Sequence, residues 1–256
     1  DGKLQFKVKD ISKDEIKTEV VVGGPIKSNK GINLPDVVLN TSPLTSKDIE
    51  DLKFILNQEI DWIALSFVQK LKDVEEVKKY IGDKAGVIAK IEKPSALKEL
   101  NEIIEACDGI MVARGDLGVE LAPEEVPGIQ KEIILKCRQA GKPVIVATQM
   151  LESMIETPSP TRAEASDVAT AVFDGADAVM LSAETAIGSY PLETVSIMDR
   201  IITSAENHIK IHPGDGPQNL KKANFIYNAV SRSAVSLAES VNAKAVVAFT
   251  ASGNTA

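Results

Sequence analysis

Short apolar runs, each ending in polar or small residues, recur along this sequence about every 25 to 35 residues. Their near-continuous apolar character, rich in β-branched residues, is typical of strands that are buried on both faces. Stretches with the apolar spacing of helices separate the runs, so the sequence predicts successive parallel strand–helix units. The runs are Trp62–Phe67, Val87–Lys90, Gly109–Ala113, Pro143–Thr148 and Ala178–Ser182.

The intervening helices have recognisable ends. Thr45 and Asp48 have the spacing of a capping box, which predicts that a helix begins there. Glycine or an Asp-Gly step follows each later apolar face and predicts a helix end. The predicted faces are Leu71, Val74, Val77 and Ile81 before Gly82; Leu97, Leu100 and Ile104 before Asp108; and Ile129, Ile133 and Cys137 before Gly141.

Two α/β architectures satisfy this pattern, a doubly wound sheet and a (β/α)8 TIM barrel. No Gly-x-Gly-x-x-Gly fingerprint follows the early strands, so we prefer the barrel. About five units are visible, whereas a closed barrel of this class has about eight strands. The sequence therefore predicts a partial (β/α)8 barrel whose other strands lie elsewhere or in another chain.

The two flanks have different patterns. Residues 1–37 alternate apolar and polar side chains around Gly and Pro, which predicts a small antiparallel β unit, interpreted as an inserted lid or cap. The barrel units are assigned to residues 38–210, ending with a helix at Pro191–His208. Residues 211–256 read as a linker and the beginning of a C-terminal α/β domain, with a helix near Asn224–Ser240 and an apolar run at Ala245–Thr250.

Composition narrows the class of protein. The formal charge of -8 and the pI near 5.0 argue against a nucleic-acid or anionic-membrane partner. No apolar run approaches the roughly 20 residues that span a bilayer. The two cysteines, Cys107 and Cys137, fall in helical stretches, which favours reduced, buried thiols and a cytoplasmic location.

In a β/α barrel the reactive groups stand at the carboxyl ends of the strands. Lys90 and Glu92 are two residues apart at one such end, and Asp116 follows the next strand. Two carboxylates beside a lysine suit Mg²⁺ and a phosphate or enolate substrate. The alternative is that Lys90 and Glu92 form a solvated ion pair and that Asp116 caps a helix.

Two more segments at strand ends offer candidate residues with equally open alternatives. Gly115–Gly118 reads as a tight turn that brings backbone N–H groups close to an anion, or as a simple loop. Thr148 is placed to hydrogen-bond a substrate carboxylate, or it is a satisfied hydroxyl at a strand end. No Ser-His-Asp arrangement, Walker A motif or Cys-x-x-Cys is legible, and His208 and His212 are interpreted as surface residues.

Several long segments, in order, resemble the pyruvate kinase family, and the resemblance covers essentially the whole chain. The resemblance implies transfer of phosphate from phosphoenolpyruvate to ADP, giving pyruvate and ATP in glycolysis. It also implies a TIM-barrel catalytic core. The matching segments are Val87–Glu92, Gly109–Glu120, Gly141–Met154, Pro160–Glu164 and Asp174–Ala186.

The resemblance also implies roles for individual residues. Lys90 resembles the lysine that stabilises the transferring phosphoryl group, and Glu92 and Asp116 resemble the carboxylates that bind Mg²⁺ or Mn²⁺. Gly115, Asp116 and Thr148 resemble substrate contacts.

Ser182 and Glu184 lie near that site in the family. The donor of the proton to the enolate carbon is not identified by the sequence. Thr148 or Ser182, acting through water, is the hypothesis.

Other family features are expected to lie mostly outside this chain. The resemblance implies that the K⁺ ligands and the nucleotide-contacting arginines precede it, so that this segment alone is not expected to form a complete enzyme. Residues 250–255 resemble the start of an effector phosphate loop. For the full-length protein, the resemblance implies a homo-oligomer, usually a tetramer.

Two other functions fit the same residues. A metal-dependent lyase or aldolase acting on pyruvate or a related 2-oxo acid would use the same Glu and Asp pair. A non-catalytic subunit would keep these motifs as relics, although the intact Lys90, Glu92 and Asp116 argue against that interpretation.

Overall fold

The computed structural model describes residues 4–26, 28, 31–34, 43–208 and 225–247. These residues form an antiparallel strand pair and a five-stranded parallel sheet with helices between its strands. In chain order the strands and α-helices are β1 (Gln5–Ile11), β2 (Ile16–Val22), α1 (Ser46–Ile55), β3 (Trp62–Leu65), α2 (Leu71–Ile81), β4 (Gly86–Ile91), α3 (Leu100–Ala106), β5 (Gly109–Ala113), α4 (Arg114–Glu120), α5 (Val126–Ala140), β6 (Val144–Ala147), α6 (Arg162–Asp174), β7 (Ala178–Met180), α7 (Ala183–Ala186), α8 (Pro191–His208) and α9 (Phe225–Ser240). Short 3₁₀ helices lie at Pro94–Glu99 and Glu152–Ile155.

The order of the parallel sheet separates the two predicted architectures. Strands β3 to β7 pair in sequence order, each with the next one along the chain. A doubly wound sheet would reverse its order at a switch point, whereas a barrel adds each strand beside the last. The prediction of an α/β protein with a partial TIM barrel is therefore confirmed.

All five apolar runs form strands, but they are not equally buried. Every residue of the central strand β5 is buried. At the edges of the described sheet, Trp62 of β3 is 50% exposed and Ala178 of β7 is exposed. The expectation that each strand is covered on both faces is wrong for these edge strands, which have a hydrogen-bonded neighbour on one side only.

The helices pack their predicted apolar faces against the sheet. Val74, Val77 and Ile81 of α2 and Ile133 and Cys137 of α5 are almost completely buried. The helices end at Gly82 and Gly141, both at positive φ, where glycine has no Cβ to clash. The capping box of Thr45 and Asp48 is also confirmed at the start of α1.

One predicted helix is divided. Leu97, expected on the same helical face as Leu100 and Ile104, lies in the 3₁₀ helix Pro94–Glu99 instead. Glu99, with φ -118° and ψ 28°, interrupts the helical backbone before α3 begins at Leu100. Leu97 still packs against the core, so the apolar position was predicted correctly and the type of helix was wrong.

The two cysteines are free and buried, as predicted. Burial raises the pKa of the Cys107 thiol, and burial, with a smaller contribution from Cys107, raises the pKa of Cys137 to about 12. Both groups are therefore protonated at neutral pH and unreactive as nucleophiles.

The flanks agree with the prediction in their strand pair and their helix, but not in the described part of the apolar run that begins at residue 245. Strands β1 and β2 pair in antiparallel fashion, and all of their residues are exposed. Helix α9 matches the helix expected near residue 224, and residues 245–247 carry no strand. The predicted loop at 212–217 and the end of the apolar run at 248–250 lie outside the described residues. None of the described helices is both long and apolar enough to cross a membrane.

Two aspartates fasten the amino-terminal edge of the sheet. Asp108, just before β5, accepts the N–H of Val87 at 2.9 Å, and Asp177, just before β7, accepts the N–H of Val144 at 2.8 Å. Each carboxylate therefore satisfies an N–H at or near the start of the preceding strand. Burial alone would raise the pKa of Asp108, but this hydrogen bond and the ammonium of Lys78 outweigh burial and lower it.

Glu164 joins the start of α6 to the 3₁₀ helix that follows β6. With Thr161 it forms the capping box of α6, and its carboxylate also accepts the N–H and hydroxyl of Ser153 at 2.7 and 2.6 Å. Ser153 belongs to the 3₁₀ helix that follows β6. Burial alone would raise the pKa of Glu164, but the hydrogen bonds from Ser153 and Thr161 hold it below its ordinary value.

Glu164→Gln is expected to lower the free energy of unfolding by about 1 to 3 kcal/mol at neutral pH, because the amide cannot accept all four hydrogen bonds. Since the folded pKa is depressed, the parent loses this stabilisation as pH falls from the unfolded pKa through the folded one. Urea unfolding between pH 7 and pH 3 measures the difference, which should shrink towards low pH. Glu193→Gln, an exposed acidic residue in the first turn of α8, is the control and should change little. A difference that does not depend on pH would contradict the assignment.

Candidate functional site

The predicted site residues lie where the parallel strands end. Lys90 and Glu92 come from the end of β4, Asp116 follows β5, Thr148 follows β6 and Ser182 follows β7. Because neighbouring strands are parallel, these ends share one edge of the sheet. Within the described residues, the structure joins some of these side chains directly and leaves others without a mutual contact.

Lys90 and Glu92 are in direct contact. The Lys90 Nζ lies 2.8 Å from Glu92 Oε1 and donates to the hydroxyl of Ser66 at 2.8 Å. The Glu92 side chain is 2% exposed, and its Oε2 accepts the N–H of Phe67 at 2.7 Å. The ion pair exists, but it is buried on the carboxylate side, so the solvated-pair alternative does not describe it.

The backbone at the end of β3 is shaped around this carboxylate. Phe67 has a φ of 55°, in the left-handed region that non-glycine residues rarely adopt. That conformation accompanies the hydrogen bond from its N–H to Glu92. Ser66 and Phe67 end the first apolar run, so the sequence placed them at the correct edge without indicating their contacts.

Segment 115–118 is helical, which corrects the tight-turn interpretation. It lies in α4, which begins immediately after β5. The N–H of Gly115 donates to Thr148 Oγ1 at 2.6 Å, so an anion would have to compete with that hydroxyl for it. A Cβ on Gly115 would lie 3.1 Å from that oxygen, so the close approach of α4 to β6 favours glycine here.

Thr148 occupies a strained position. Thr148 and Gln149 have φ values of 71° and 54°, in the left-handed region that non-glycine residues rarely adopt. The conformation is especially unfavourable for Thr148, because its side chain is β-branched. The buried guanidinium of Arg114 donates to the carbonyl of Thr148 at 2.8 Å and to that of Gln149 at 3.1 Å. Asp167 pairs with the same guanidinium at 2.7 Å. Arg114 therefore holds the strained turn, a role that the sequence did not predict.

Asp116 has the features of an available metal ligand. Its side chain is partly buried in the first turn of α4, and nothing in the described part of the chain forms a hydrogen bond or ion pair with its carboxylate. It makes no capping hydrogen bond, so the helix-cap alternative is not observed. Each Glu92 oxygen has one protein partner and retains a free lone pair. The donor set fits a hard divalent cation.

A cation held there needs further oxygen ligands. Among the described residues, no group of three or more His, Cys, Asp or Glu side chains is arranged to hold a metal ion. Two carboxylates with water and substrate oxygens are the usual arrangement for Mg²⁺. The pair of Glu92 and Asp116 therefore suits a metal that binds together with substrate.

Ser182 is tied to the site through Glu184. The Ser182 N–H donates to Glu184 Oε2 at 2.8 Å, and the N–H of Leu151 donates to Oε1 at 3.3 Å. Glu184 is 2% exposed, so this carboxylate links the segments after β6 and β7. Within the described residues, no hydrogen bond joins the Ser182 hydroxyl to Lys90 or Thr148.

A second buried ion pair lies beside the first. Lys93 Nζ donates to Glu120 Oε1 at 2.5 Å, and the two side chains are 8% and 2% exposed. The partners are 27 residues apart, so no local pattern in the sequence could have paired them.

His208 is exposed on α8, as predicted.

Thr148→Val is expected to lower the free energy of unfolding by about 1 to 3 kcal/mol, because the partly buried N–H of Gly115 loses its acceptor while the branched shape is kept. Thr148→Ser keeps the oxygen and should cost about 0.8 kcal/mol for the lost methyl group. Urea unfolding of both variants measures the difference. A Thr148→Val variant as stable as the parent would show that the hydroxyl does not contribute.

Comparisons with known proteins identify the relatives of this chain. Residues 1–195 match the model of the pyruvate kinase barrel domain. Over the whole chain, the sequence is 53% identical to a pyruvate kinase of Agrobacterium vitis, covering 53% of that protein, and 51% identical to one of Mycobacterium tuberculosis, covering 54%. It is 48% identical to pyruvate kinase 2 of a Synechocystis strain, covering 44% of it.

The chain spans about half the length of the curated relatives that it matches. The match to the family model covers more than half of the chain, and the predicted motifs lie within the matched residues or close to them. On this evidence, the chain belongs to the pyruvate kinase family.

Proposed function

We propose that this chain supplies the metal- and phosphate-binding part of a pyruvate kinase active site, which transfers phosphate from phosphoenolpyruvate to ADP. The observation that carries the proposal is the contact of Lys90 with the buried Glu92 at the end of β4. Asp116, after the neighbouring strand β5, has no protein partner among the described residues. The transition state of phosphoryl transfer spreads negative charge over the phosphoryl oxygens. A divalent cation and a lysine ammonium at the same end of the sheet would stabilise that charge.

Glu92 and Asp116 are the proposed ligands of Mg²⁺ or Mn²⁺. When bound, the metal neutralises charge on phosphoryl, enolate and carboxylate oxygens. Glu92 is held in place by Lys90 and the N–H of Phe67, so its position does not depend on the metal. K⁺ is also proposed for the complete site, with ligands mostly outside this chain.

Lys90 is the proposed stabiliser of the transferring phosphoryl group. Its side chain is 24% exposed whereas that of its partner Glu92 is 2% exposed, so the lysine is accessible to a ligand at the carboxyl ends of the strands. Ser66 and Glu92 restrict its position before substrate arrives. A preorganised positive charge stabilises developing negative charge without having to reorganise during the reaction.

Gly115, Asp116 and Thr148 are the proposed substrate contacts. The Thr148 hydroxyl accepts from Gly115 and donates to the carbonyl of Ala147 at 2.6 Å. To bind the carboxylate of phosphoenolpyruvate, it would turn its proton from that carbonyl to the ligand. The strained turn held by Arg114 keeps the oxygen in place during this change.

We assign residues 1–37 to the end of an inserted lid, 38–210 to the barrel and 211–256 to the linker and the start of a C-terminal domain. The complete protein is proposed to be a cytoplasmic homo-oligomer, a tetramer. Its partners are phosphoenolpyruvate or pyruvate and ADP or ATP. The net charge of -8 disfavours nucleic acids and anionic membranes as partners.

The test combines phosphate transfer with metal binding in the intact protein. Transfer from phosphoenolpyruvate to ADP is measured directly, and Mn²⁺ binding is measured by electron spin resonance with and without oxalate, an enolpyruvate mimic. Asp116→Asn should lose both the binding that tightens with oxalate and the transfer. Lys90→Met should keep Mn²⁺ binding and lower the transfer rate at least about 100-fold.

Two results would contradict the proposal. Metal-dependent cleavage or condensation of a 2-oxo acid without phosphate transfer would favour the lyase or aldolase function. Absence of both Mn²⁺ binding and transfer in the folded intact protein would favour a non-catalytic subunit.

Thr148 and Ser182 are the candidate proton donors, each acting through water. We expect replacement of the true donor, as Thr148→Val or Ser182→Ala, to slow exchange of the methyl protons of pyruvate in deuterated water at least about 100-fold. Proton magnetic resonance follows the exchange, and Mn²⁺ binding reports that the site is intact. Exchange at the parent rate in both variants would exclude both hydroxyls.

A further inference from the structure

We propose that Glu120 is a positioning residue that sequesters the ammonium of Lys93, so that the carboxylate of Asp116 stays available to the divalent cation. The inference rests on the proposed function, in which Asp116 is a metal ligand. It concerns two residues that do not themselves touch the metal or the substrate.

The pair connects the two segments that carry the proposed ligands. Lys93 directly follows Glu92, and Glu120 lies four residues after Asp116 on the same face of α4. Across the described ranges, the contact of Lys93 with Glu120 is the only side-chain hydrogen bond or ion pair that joins residues 90–93 to α4. The pair therefore links the segment that carries Glu92 to the helix that carries Asp116.

The backbone of Lys93 is restricted, which keeps its side chain close to α4. Pro94 follows it, and a residue before proline is restricted to extended backbone, as Lys93 is, with φ -122° and ψ 136°. Its side chain is 8% exposed, so water is largely excluded from the ammonium. A buried ammonium needs a carboxylate partner because desolvation of an unpaired charge is costly.

Two carboxylates on α4 compete for that ammonium. Glu120 is paired with it at 2.5 Å, whereas Asp116, one helical turn earlier, has no partner in the described part of the chain. If Glu120 lost its charge, Asp116 would become the nearest unpaired carboxylate along the same helix face. Lys93 would then occupy the ligand that the divalent cation needs, and binding of the cation would have to displace it.

A simple stabilising role does not explain the arrangement as well. A buried ion pair adds little net stability compared with apolar side chains of the same volume. The charge pattern, with one carboxylate neutralised and the next one left free, instead matches the requirement of a cation site for a deprotonated, unpaired ligand.

The experiment measures Mn²⁺ affinity by electron spin resonance in the intact protein, well below its unfolding temperature. Glu120→Gln is expected to weaken Mn²⁺ binding about 10- to 100-fold, the range usual for residues that support metal ligands. Lys93→Met added to Glu120→Gln removes the stray ammonium and should restore affinity to within about threefold of the parent. Glu120→Asp, which keeps the charge, should stay close to the parent.

Lys78→Met is the matched control, because it breaks a lysine–aspartate pair with Asp108 at the amino-terminal edge of the sheet. It should leave Mn²⁺ affinity unchanged. If Glu120→Gln is too unstable to purify, Lys93→Met alone carries the test, since it removes the competing ammonium and should bind Mn²⁺ at least as tightly as the parent.

Three results would overturn the inference. Unchanged affinity in Glu120→Gln, with binding lost in Asp116→Asn, would remove the sequestering role and leave the proposed function standing. Equal weakening in Glu120→Gln and in the double variant would assign the pair a purely structural role. Normal Mn²⁺ binding in Asp116→Asn would show that the proposed metal site itself is wrong.

Discussion

The parallel ladder of β3 to β7 is the constraint on which the rest of this structure depends. Because each strand pairs with its successor in the same direction, the last residues of all five meet at one edge. Residues far apart in sequence, such as Gly115 and Thr148, are thereby brought within hydrogen-bonding distance. Pairing in the opposite direction would send alternate ends to opposite edges and scatter the cluster.

The cluster itself is organised by charges that are largely removed from water. Glu92, Glu120 and Glu184 are each almost fully buried, and each carboxylate has partners among the described residues. The guanidinium of Arg114 donates hydrogen bonds to the carbonyls of Thr148 and Gln149, whose left-handed backbone is energetically unfavourable. Asp116 is the exception, because none of the described residues forms a hydrogen bond or ion pair with its carboxylate.

The sequence predicted the strands and the order of the units, because apolar periodicity reports burial directly. It placed the candidate residues at the carboxyl ends of those strands, where they lie in the structure. It also paired Lys90 with Glu92, since residues two apart at a strand end share a side. It missed the helix at Arg114–Glu120, where two glycines in a short segment resemble a turn. The pairing of Lys93 with Glu120 and the grip of Arg114 on Thr148 could not be predicted, because they depend on distances set only by the folded chain.

The hydrogen bonds of Asp108 and Asp177 lie at the amino-terminal ends of the strands, whereas the candidate site lies at their carboxyl ends. At the amino-terminal edge each carboxylate grips the N–H of a preceding strand, which resists sliding of one strand along another. At the carboxyl ends of the strands, the left-handed residues Phe67 and Thr148 are held instead by hydrogen bonds to Glu92 and Arg114. The contacts that hold the strands in register and the residues that form the candidate site thus lie at opposite ends of the same strands.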